Sequence, residues 1–258
     1  MQRRRFYAPP DSKKGAVVVL SHQETRHLTR VLRLKPGDEA FVFDGFGREY
    51  RSLFLKVEEG CARLEVLEEL LDAVESPLFV TLAQSLAKGE KFDLIVQKAT
   101  ELGISSIVPL LADQADFKLT DERWEKRLER WQRISIEALK QCGRRTIVEI
   151  SSPISVRALL DKEAADSGGN SFETRAVLVF NEKGGAPVDA ALTEKPYASA
   201  VTVLVGPEGG WSDDELTLFA ERGVKSVTLG PRKLRTETAA IVAMTLIQHA
   251  LGDVSREF

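Results

Sequence analysis

Hydrophobic and polar positions alternate in short runs from Phe6 to about Val66, a pattern typical of half-buried β-strands. The runs AVVVL, AFVF and SLFLKV are separated by KPGD and DGFG turns. Between the first two runs, SHQETRHLTRVLRL has helical spacing, and Ser21 with Glu24 would form a capping box at its start. The pattern predicts a small β-barrel or sandwich with one short helix.

Beyond Pro77 the pattern changes, because strand-like apolar runs now alternate with helical stripes. This alternation is typical of an α/β domain with a largely parallel sheet. The acidic segment EVLEELLDAVESP, which leads to Pro77, is the predicted domain boundary. The sequence therefore predicts one domain over residues 1–73 and a second over residues 74–258.

For two helices of the second domain, the sequence indicates one of the helix ends. KGEKFDLIVQKATELG carries an apolar stripe and closes on Gly103, a residue suited to a helix C-terminus. Thr120 is placed to cap a longer helix, whose apolar face includes Trp124 and Trp131. We expect these two tryptophans to pack in the core or at an interface and not to bind a ligand.

Composition narrows the class of protein further. Of the 258 residues, 43% are hydrophobic, which is ample for a packed core. No run of eighteen apolar residues appears, so we expect a cytoplasmic protein without a membrane segment. Cys61 and Cys142 lie far apart and outside any metal-ligand spacing, which predicts reduced thiols and no metal.

Charge is unevenly distributed along the chain. Residues 1–51 carry eleven Lys and Arg against six Asp and Glu, whereas the rest carries 25 against 33. Arg26, Arg30 and Arg33 would share one face of the short helix. The basic end is suited to hold a polyanion by its phosphates, although a merely solvated basic face would have the same composition.

The first segment that carries chemistry is VTVLVGPEGGWSDDEL, a strand that leads through a glycine-rich turn into a helix capped by Ser212. Glycines let the backbone approach a ligand closely, although a tight strand-to-helix connection would use the same residues. No Gly-Lys-Ser/Thr follows, so a Walker loop is disfavoured. Glu208 and the acids after it would repel a phosphate but tolerate a cationic sulfonium.

The second such segment is SVTLGPRKLRTETAAIVAM, again a strand, a turn and a helix, here capped by Thr236 or Thr238. Arg232 and Arg235 add positive charge suited to a phosphate or to charge that develops on a base. The two loops are predicted to lie at neighbouring carboxyl ends of strands, where open α/β sheets bind ligands. A plain helix–strand connection with solvated arginines would look the same.

Taken together, GPEGGW, LGPRKLRTETAA, KGEKFDLIVQKATELG, RWQRISIEALKQCGRR, RRFYAPP and HLTRVLRLKPGD resemble the bacterial 16S ribosomal RNA uracil-N3 methyltransferase family. That family belongs to the SPOUT superfamily of knotted methyltransferases, and the resemblance covers nearly the whole chain in order. It implies a PUA-like β-barrel that binds RNA, followed by an α/β domain with a trefoil knot. It also implies a homodimer that acts on 16S rRNA in the small ribosomal subunit.

The resemblance further implies that S-adenosyl-L-methionine is bound by the two loops and by the strand end at Phe180. Trp211 departs from the family, which more usually has Phe or Leu there. The matched cofactor residues are Phe180, Asn181, Glu182, Gly206, Pro207, Glu208, Gly209, Gly210, Leu229, Gly230, Leu234, Arg235, Thr236 and Thr238.

For the reaction, uracil N3 must lose its proton while a cation or amide donors stabilise the anion at O2 or O4. Arg235 is the candidate cation, and Glu208 or Glu237 the candidate base, although either carboxylate would serve equally to cap amides. Phe6 and Tyr7 are either stacking partners of RNA or residues of the first strand. The candidate RNA contacts are Arg3, Arg4, Arg5, Arg26, Arg30, Arg33, Arg144 and Arg232.

Two other functions remain open from the sequence. A related transferase would methylate a ribose 2′-hydroxyl or another RNA, and a non-catalytic assembly factor would keep the fold without turnover. The intact cofactor loops disfavour the second of these.

Overall fold

A computed structural model describes residues 3–71, 74–115, 121–166, 175–193 and 198–254. The chain divides into two compact units, one of residues 1–75 with 136–147 and one of residues 76–135 with 148–258. The boundary predicted after residue 73 falls beside residues outside the described ranges and stays a prediction. Thr120, predicted to cap the long helix, also lies outside those ranges.

The smaller unit contains a six-stranded sheet in the order β1-β4-β5-β6-β3-β2. All of its strand pairs are antiparallel except β1 with β4. Phe6, Leu28, Phe54 and Leu64 lie in its apolar core. The strands are β1 (Arg5–Tyr7), β2 (Lys13–Lys14), β3 (Val17–Val19), β4 (Glu39–Phe43), β5 (Glu49–Glu58) and β6 (Cys61–Leu70).

The first part of the acidic segment, up to Leu70, belongs to strand β6. Ala62 and Leu64 are buried while Glu65 and Glu68 are exposed, so β6 begins with the alternation of a half-buried strand. Glu68 forms an ion pair with Arg51 on β5, 2.6 Å away. The acids of β6 therefore mark the outer face of a strand.

The short helix is two helical turns and not one regular helix. Helix α1 (His22–Arg26) passes into a π-helical turn over His27–Val31. Ser21 caps α1 by accepting from the Glu24 amide, but the Glu24 carboxylate pairs with Lys140, so the capping box does not form. Arg33 lies beyond both turns with a φ of 55°, so the predicted shared face does not extend to it.

The larger unit contains a seven-stranded sheet in the order β10-β8-β7-β12-β11-β13, with β9 paired to β8. Every strand pair in it is parallel, which confirms the predicted α/β class. Its strands are β7 (Phe79–Ser85), β8 (Ser106–Leu111), β9 (Glu149–Ile150), β10 (Ile154–Ser155), β11 (Arg175–Phe180), β12 (Ala200–Val205) and β13 (Lys225–Val227).

Apolar side chains cover both faces of this sheet. Val203 and Val205 of β12 join one buried cluster and Leu204 joins another, because successive residues of a strand point to opposite faces. Trp124 and Trp131 are buried in the first cluster, as predicted. The helices are α2 (Lys91–Glu101), α3 (Asp121–Cys142), α4 (Val156–Asp166), α5 (Val188–Thr193), α6 (Asp213–Glu221) and α7 (Thr236–Ala250).

Helix α2 ends where the sequence indicated, since Gly103 just beyond it has a φ of 81°. Within the described part of the chain, no helix is both long enough and apolar enough to span a membrane.

The strand register aligns the functional edge of the sheet. Phe180, the last residue of β11, pairs with Val205, the last of β12, and with Val227, the last of β13. Val205 also pairs with Gln84 near the end of β7. Four strands thus end at one level, and the loops that follow them emerge side by side.

Candidate active site

A cleft of about 600 Å³ lies at this carboxyl edge of the sheet. The sequence predicted that the two glycine-bearing loops follow neighbouring strands, but β11 lies between β12 and β13. The strand end at Phe180 therefore occupies the middle of the cleft and connects the two loops. The predicted cofactor residues that line it are Phe180, Asn181, Glu182, Gly206, Pro207, Glu208, Gly210, Leu229, Gly230, Leu234 and Thr236.

Three other predicted cofactor residues lie nearby but do not line the cleft, namely Gly209, Arg235 and Thr238. Arg232, predicted as an RNA contact, does line it. The motifs did not indicate Val205, Trp211, Thr228 or Ala239, which also line the cleft.

Trp211 holds the glycine-rich loop after β12, which is called the first loop, in place. Its side chain is 4% exposed, and its Nε1 donates to the carbonyl of Phe180 at 3.0 Å. A Cβ on Gly206 would lie 3.0 Å from the indole, so glycine gives the ring its room. The tryptophan that departs from the family pattern thus connects the end of β11 to the loop after β12.

The same loop leads directly into α6. Ser212 caps that helix and forms a full capping box with Glu215, as the sequence indicated. The Glu215 carboxylate also accepts from the Asp113 amide at 3.1 Å, which attaches the helix start to the segment after β8. Gly210 has a φ of 79°, a conformation that favours glycine.

Thr236 connects the loop to the second helix in a way the sequence did not predict. It does not cap α7, because Arg235 occupies the N-cap position and makes no side-chain capping bond. The Thr236 hydroxyl donates to the Gly206 carbonyl at 2.8 Å and accepts from Gln84 Nε2 at 3.0 Å. Buried Gln84 thus holds β7, the first loop and α7 together.

Ion pairs cross the cleft and its rim. Lys233 Nζ lies 3.2 Å from Glu182 Oε1, which connects the loop after β13 to the loop after β11. Glu208 forms an ion pair with Lys91 at the start of α2. Both cleft carboxylates therefore have a lysine partner. In the part of the chain with described coordinates, no group of three or more His, Cys, Asp or Glu side chains could hold a metal ion.

The two catalytic candidates lie at the start of α7. Arg235 is exposed and Glu237 is half-buried in the first turn. Among the residues the structure describes, Glu237 Oε2 is buried and has no hydrogen-bond partner. Neither side chain lines the cleft, so their catalytic roles stay predictions.

In the smaller unit, two of the predicted RNA contacts are internal. Arg5, 6% exposed, donates to Glu49 Oε1 and to the carbonyls of Leu139 and Arg144. Arg144, 5% exposed, pairs with Glu75 at 2.8 Å. Both guanidinium groups are buried and bonded within the protein, so the prediction that they contact RNA is wrong.

The remaining arginines of that prediction are exposed: Arg3, Arg4, Arg26, Arg30 and Arg33. Phe6 is fully buried in the core of the smaller unit, so it belongs to the first strand and does not stack on RNA. Tyr7 is half-buried on the same strand and packs against Phe43.

Comparison with known proteins finds similarity to RNA methyltransferases. The RNA methyltransferase domain family matches residues 74–248, and the RNA methyltransferase PUA domain family matches residues 20–58. Ribosomal RNA small subunit methyltransferase E of Synechocystis is 34% identical over 96% of this chain and 78% of its own length. The Bacillus subtilis protein of the same name is 30% identical over 89% of each chain.

A crystal structure of the Neisseria gonorrhoeae methyltransferase E bound to S-adenosyl methionine superposes with a TM-score of 0.86 at 34% identity. It covers 98% of this chain and 100% of its own. The chain therefore belongs to the RNA methyltransferase family that includes the ribosomal RNA small subunit methyltransferase E proteins.

Proposed function

We propose that this protein methylates N3 of a specific uridine in 16S rRNA near the decoding centre, with S-adenosyl-L-methionine as the methyl donor. The observation that carries the proposal is the meeting of three strand ends at a glycine-lined cleft. The relatives named for methylation of small-subunit rRNA, and the relative bound to the cofactor, support it.

The residues of the cleft fit this cofactor. Gly206 and Gly210 expose backbone to the cleft, and Glu182 with Glu208 would tolerate a sulfonium while disfavouring a phosphate. The loops Gly206–Gly210 and Leu229–Leu234, with Asn181 and Glu182, would hold it.

When bound, the cofactor supplies a methyl group on a sulfonium, which becomes a neutral thioether as the methyl carbon bonds to uracil N3. The N3 proton leaves to water or to a carboxylate, for which Glu208 and Glu237 are the candidates. Arg235 at the start of α7, or Arg232 in the cleft, would stabilise negative charge at O2 or O4. Trp211 and Thr236 keep the loop in place and so maintain alignment.

We also propose the finer architecture of the SPOUT superfamily, with a trefoil knot at the cleft loops, a PUA-like barrel in the smaller unit and a homodimer. In this proposal Arg3, Arg4, Arg26, Arg30 and Arg33 guide RNA by phosphate contacts, since their exposed side chains lie in the basic part of the sequence.

The test incubates the protein with labelled S-adenosylmethionine and small ribosomal subunits from a strain that lacks the activity. Digestion and nucleoside mass spectrometry should find 3-methyluridine in the 16S rRNA. A 2′-O-methylated nucleoside would favour the related transferase, and cofactor binding without any product would favour the assembly factor. Either result would overturn the proposal.

A further inference from the structure

A second cleft lies on the other side of the glycine loop in the larger unit. It spans about 580 Å³, including space open to solvent, and some of its lining residues are absent from the first cleft. Leu86, Ala87 and Lys88, which follow β7, form one wall, and Gln114, which follows β8, forms another. Gly209 also belongs to this second cleft and not to the first.

The two clefts share three residues. Pro207, Glu208 and Thr236 line both of them, so the two clefts adjoin at this loop. Methyl transfer needs its two reactants in contact and aligned. If the cofactor occupies the first cleft, the second is the adjoining space with room for the acceptor.

The lining of the second cleft suits a uracil ring. Leu86 and Ala87, which are largely buried, contribute apolar atoms to its lining. Uracil carries carbonyl oxygens at positions 2 and 4, one on each side of N3, and both require hydrogen-bond donors. The Lys88 ammonium has three donors, and the Gln114 amide nitrogen has two. Neither residue needs to contact N3 itself.

The pattern also discriminates between bases. Cytosine carries an amino group in place of O4, and this group would leave a donor at that position without an acceptor. A site that donates to a substrate oxygen favours the base that carries the oxygen, because two donors cannot pair with each other.

We propose that the second cleft is the acceptor subsite, where Lys88 and Gln114 donate hydrogen bonds to the carbonyl oxygens of the target uracil. This inference rests on the proposed function and adds the residues that select the base. Gly209 serves the subsite by its lack of a side chain, because a Cβ there would lie 3.2 Å from Gln114 Cβ.

The first test separates the acceptor from the cofactor in the full-length protein. Lys88→Ala and Gln114→Ala should each lower kcat/KM for small ribosomal subunits about tenfold or more. The Kd for S-adenosylmethionine should stay within about twofold, because neither residue lines the first cleft. Lys126→Ala and Gln97→Ala, exposed on α3 and α2, are the matched controls and should behave as the wild type.

Thermal melting checks that each variant folds. Unchanged kcat/KM in folded variants would overturn the inference, as would a parallel loss of cofactor affinity, which would place both residues in the cofactor site.

The second test does not depend on turnover. Uridine 5′-monophosphate titrated into cofactor-loaded protein should shift the methyl resonances of Leu86 and Ala87, and cytidine 5′-monophosphate should do so more weakly. Shifts confined to Leu229 and Leu234 would place the base in the first cleft and refute the inference. If the wild type makes no 3-methyluridine, the proposed function fails, while this titration still decides where the base binds.

Discussion

The two units use charged residues in opposite ways. In the smaller unit, Arg5, Glu49 and Arg145 form a buried cluster, with Arg5 and Arg145 both paired to the Glu49 carboxylate. In the larger unit, the carboxylates of Glu182 and Glu208 lie at a cleft and pair with exposed or half-buried lysines. The same residue types stabilise a fold in one unit and border a ligand site in the other. The number of charged residues in a stretch of sequence therefore does not show whether they are buried in the fold or border a ligand site.

The largest effect should come from Glu49→Ala, because it leaves two buried guanidinium groups without their carboxylate. Breaking a buried pair costs about 3–5 kcal/mol, so the urea midpoint of the smaller unit should fall sharply. Glu39→Ala removes an exposed partner of Arg51 and is the control, with an expected cost of about 0–1 kcal/mol. Equal costs for the two variants would contradict the contrast between the units.

The next effect concerns the cleft. Gly206→Ala puts a methyl group against the Trp211 indole, so the loop must shift, and cofactor affinity should fall about tenfold or more. Isothermal titration measures the loss. Trp211→Phe, which makes room but gives up the bond to Phe180, should recover part of the affinity when combined with Gly206→Ala. Strictly additive losses would mean that the ring and the glycine do not act together.

A smaller loss is expected for Thr236→Val, which keeps the shape and removes the hydroxyl between Gln84 and Gly206. A neutral hydrogen bond contributes about 0.5–1.5 kcal/mol, so cofactor affinity should fall about three- to tenfold. Thr217→Val on α6, whose hydroxyl bonds within its own helix, is the matched control. A similar loss in both would show that the bridge does not position the loop.

The smallest effect is expected when an exposed arginine is replaced, and a buried arginine should respond in a different measurement. Arg26→Ala should weaken RNA binding evenly across sequences and reduce the slope of log affinity against log salt by about one. Arg144→Ala should lower the urea midpoint instead, because Glu75 loses its ion-pair partner. Filter binding at several salt concentrations measures the first effect. If Arg26→Ala leaves the slope unchanged, its exposed charge is only solvated.

Much of the larger unit was predictable because its buried strands are continuous apolar runs, and RAVLVF matches β11 residue for residue. The cofactor residues came from the resemblance to the family, and the cleft they line lies where those runs end. The sequence could not show that β11 lies between β12 and β13, which depends on pairing over long separations. For the same reason the bonds from Gln84 to Thr236 and from Trp211 to Phe180 were not predicted.

In the smaller unit the errors have a different cause. Arg5 and Arg144 were assigned to the surface because arginine is mostly exposed, and only the fold shows that carboxylates and carbonyls satisfy them internally. The acids of β6 obscured a strand whose Ala62 and Leu64 alternate with polar residues.

The strand order of the larger unit has a consequence for biosynthesis. Strand β12 pairs with β7 on one side and β11 on the other, although both are synthesised before it. The centre of the sheet therefore stays open while a ribosome makes the first two hundred residues, and the two earlier strands must wait for a late one to join them. Thr236, which attaches the first loop to α7, emerges later still. A nascent chain thus has no finished cleft, and cofactor can stabilise this unit only when translation is almost complete.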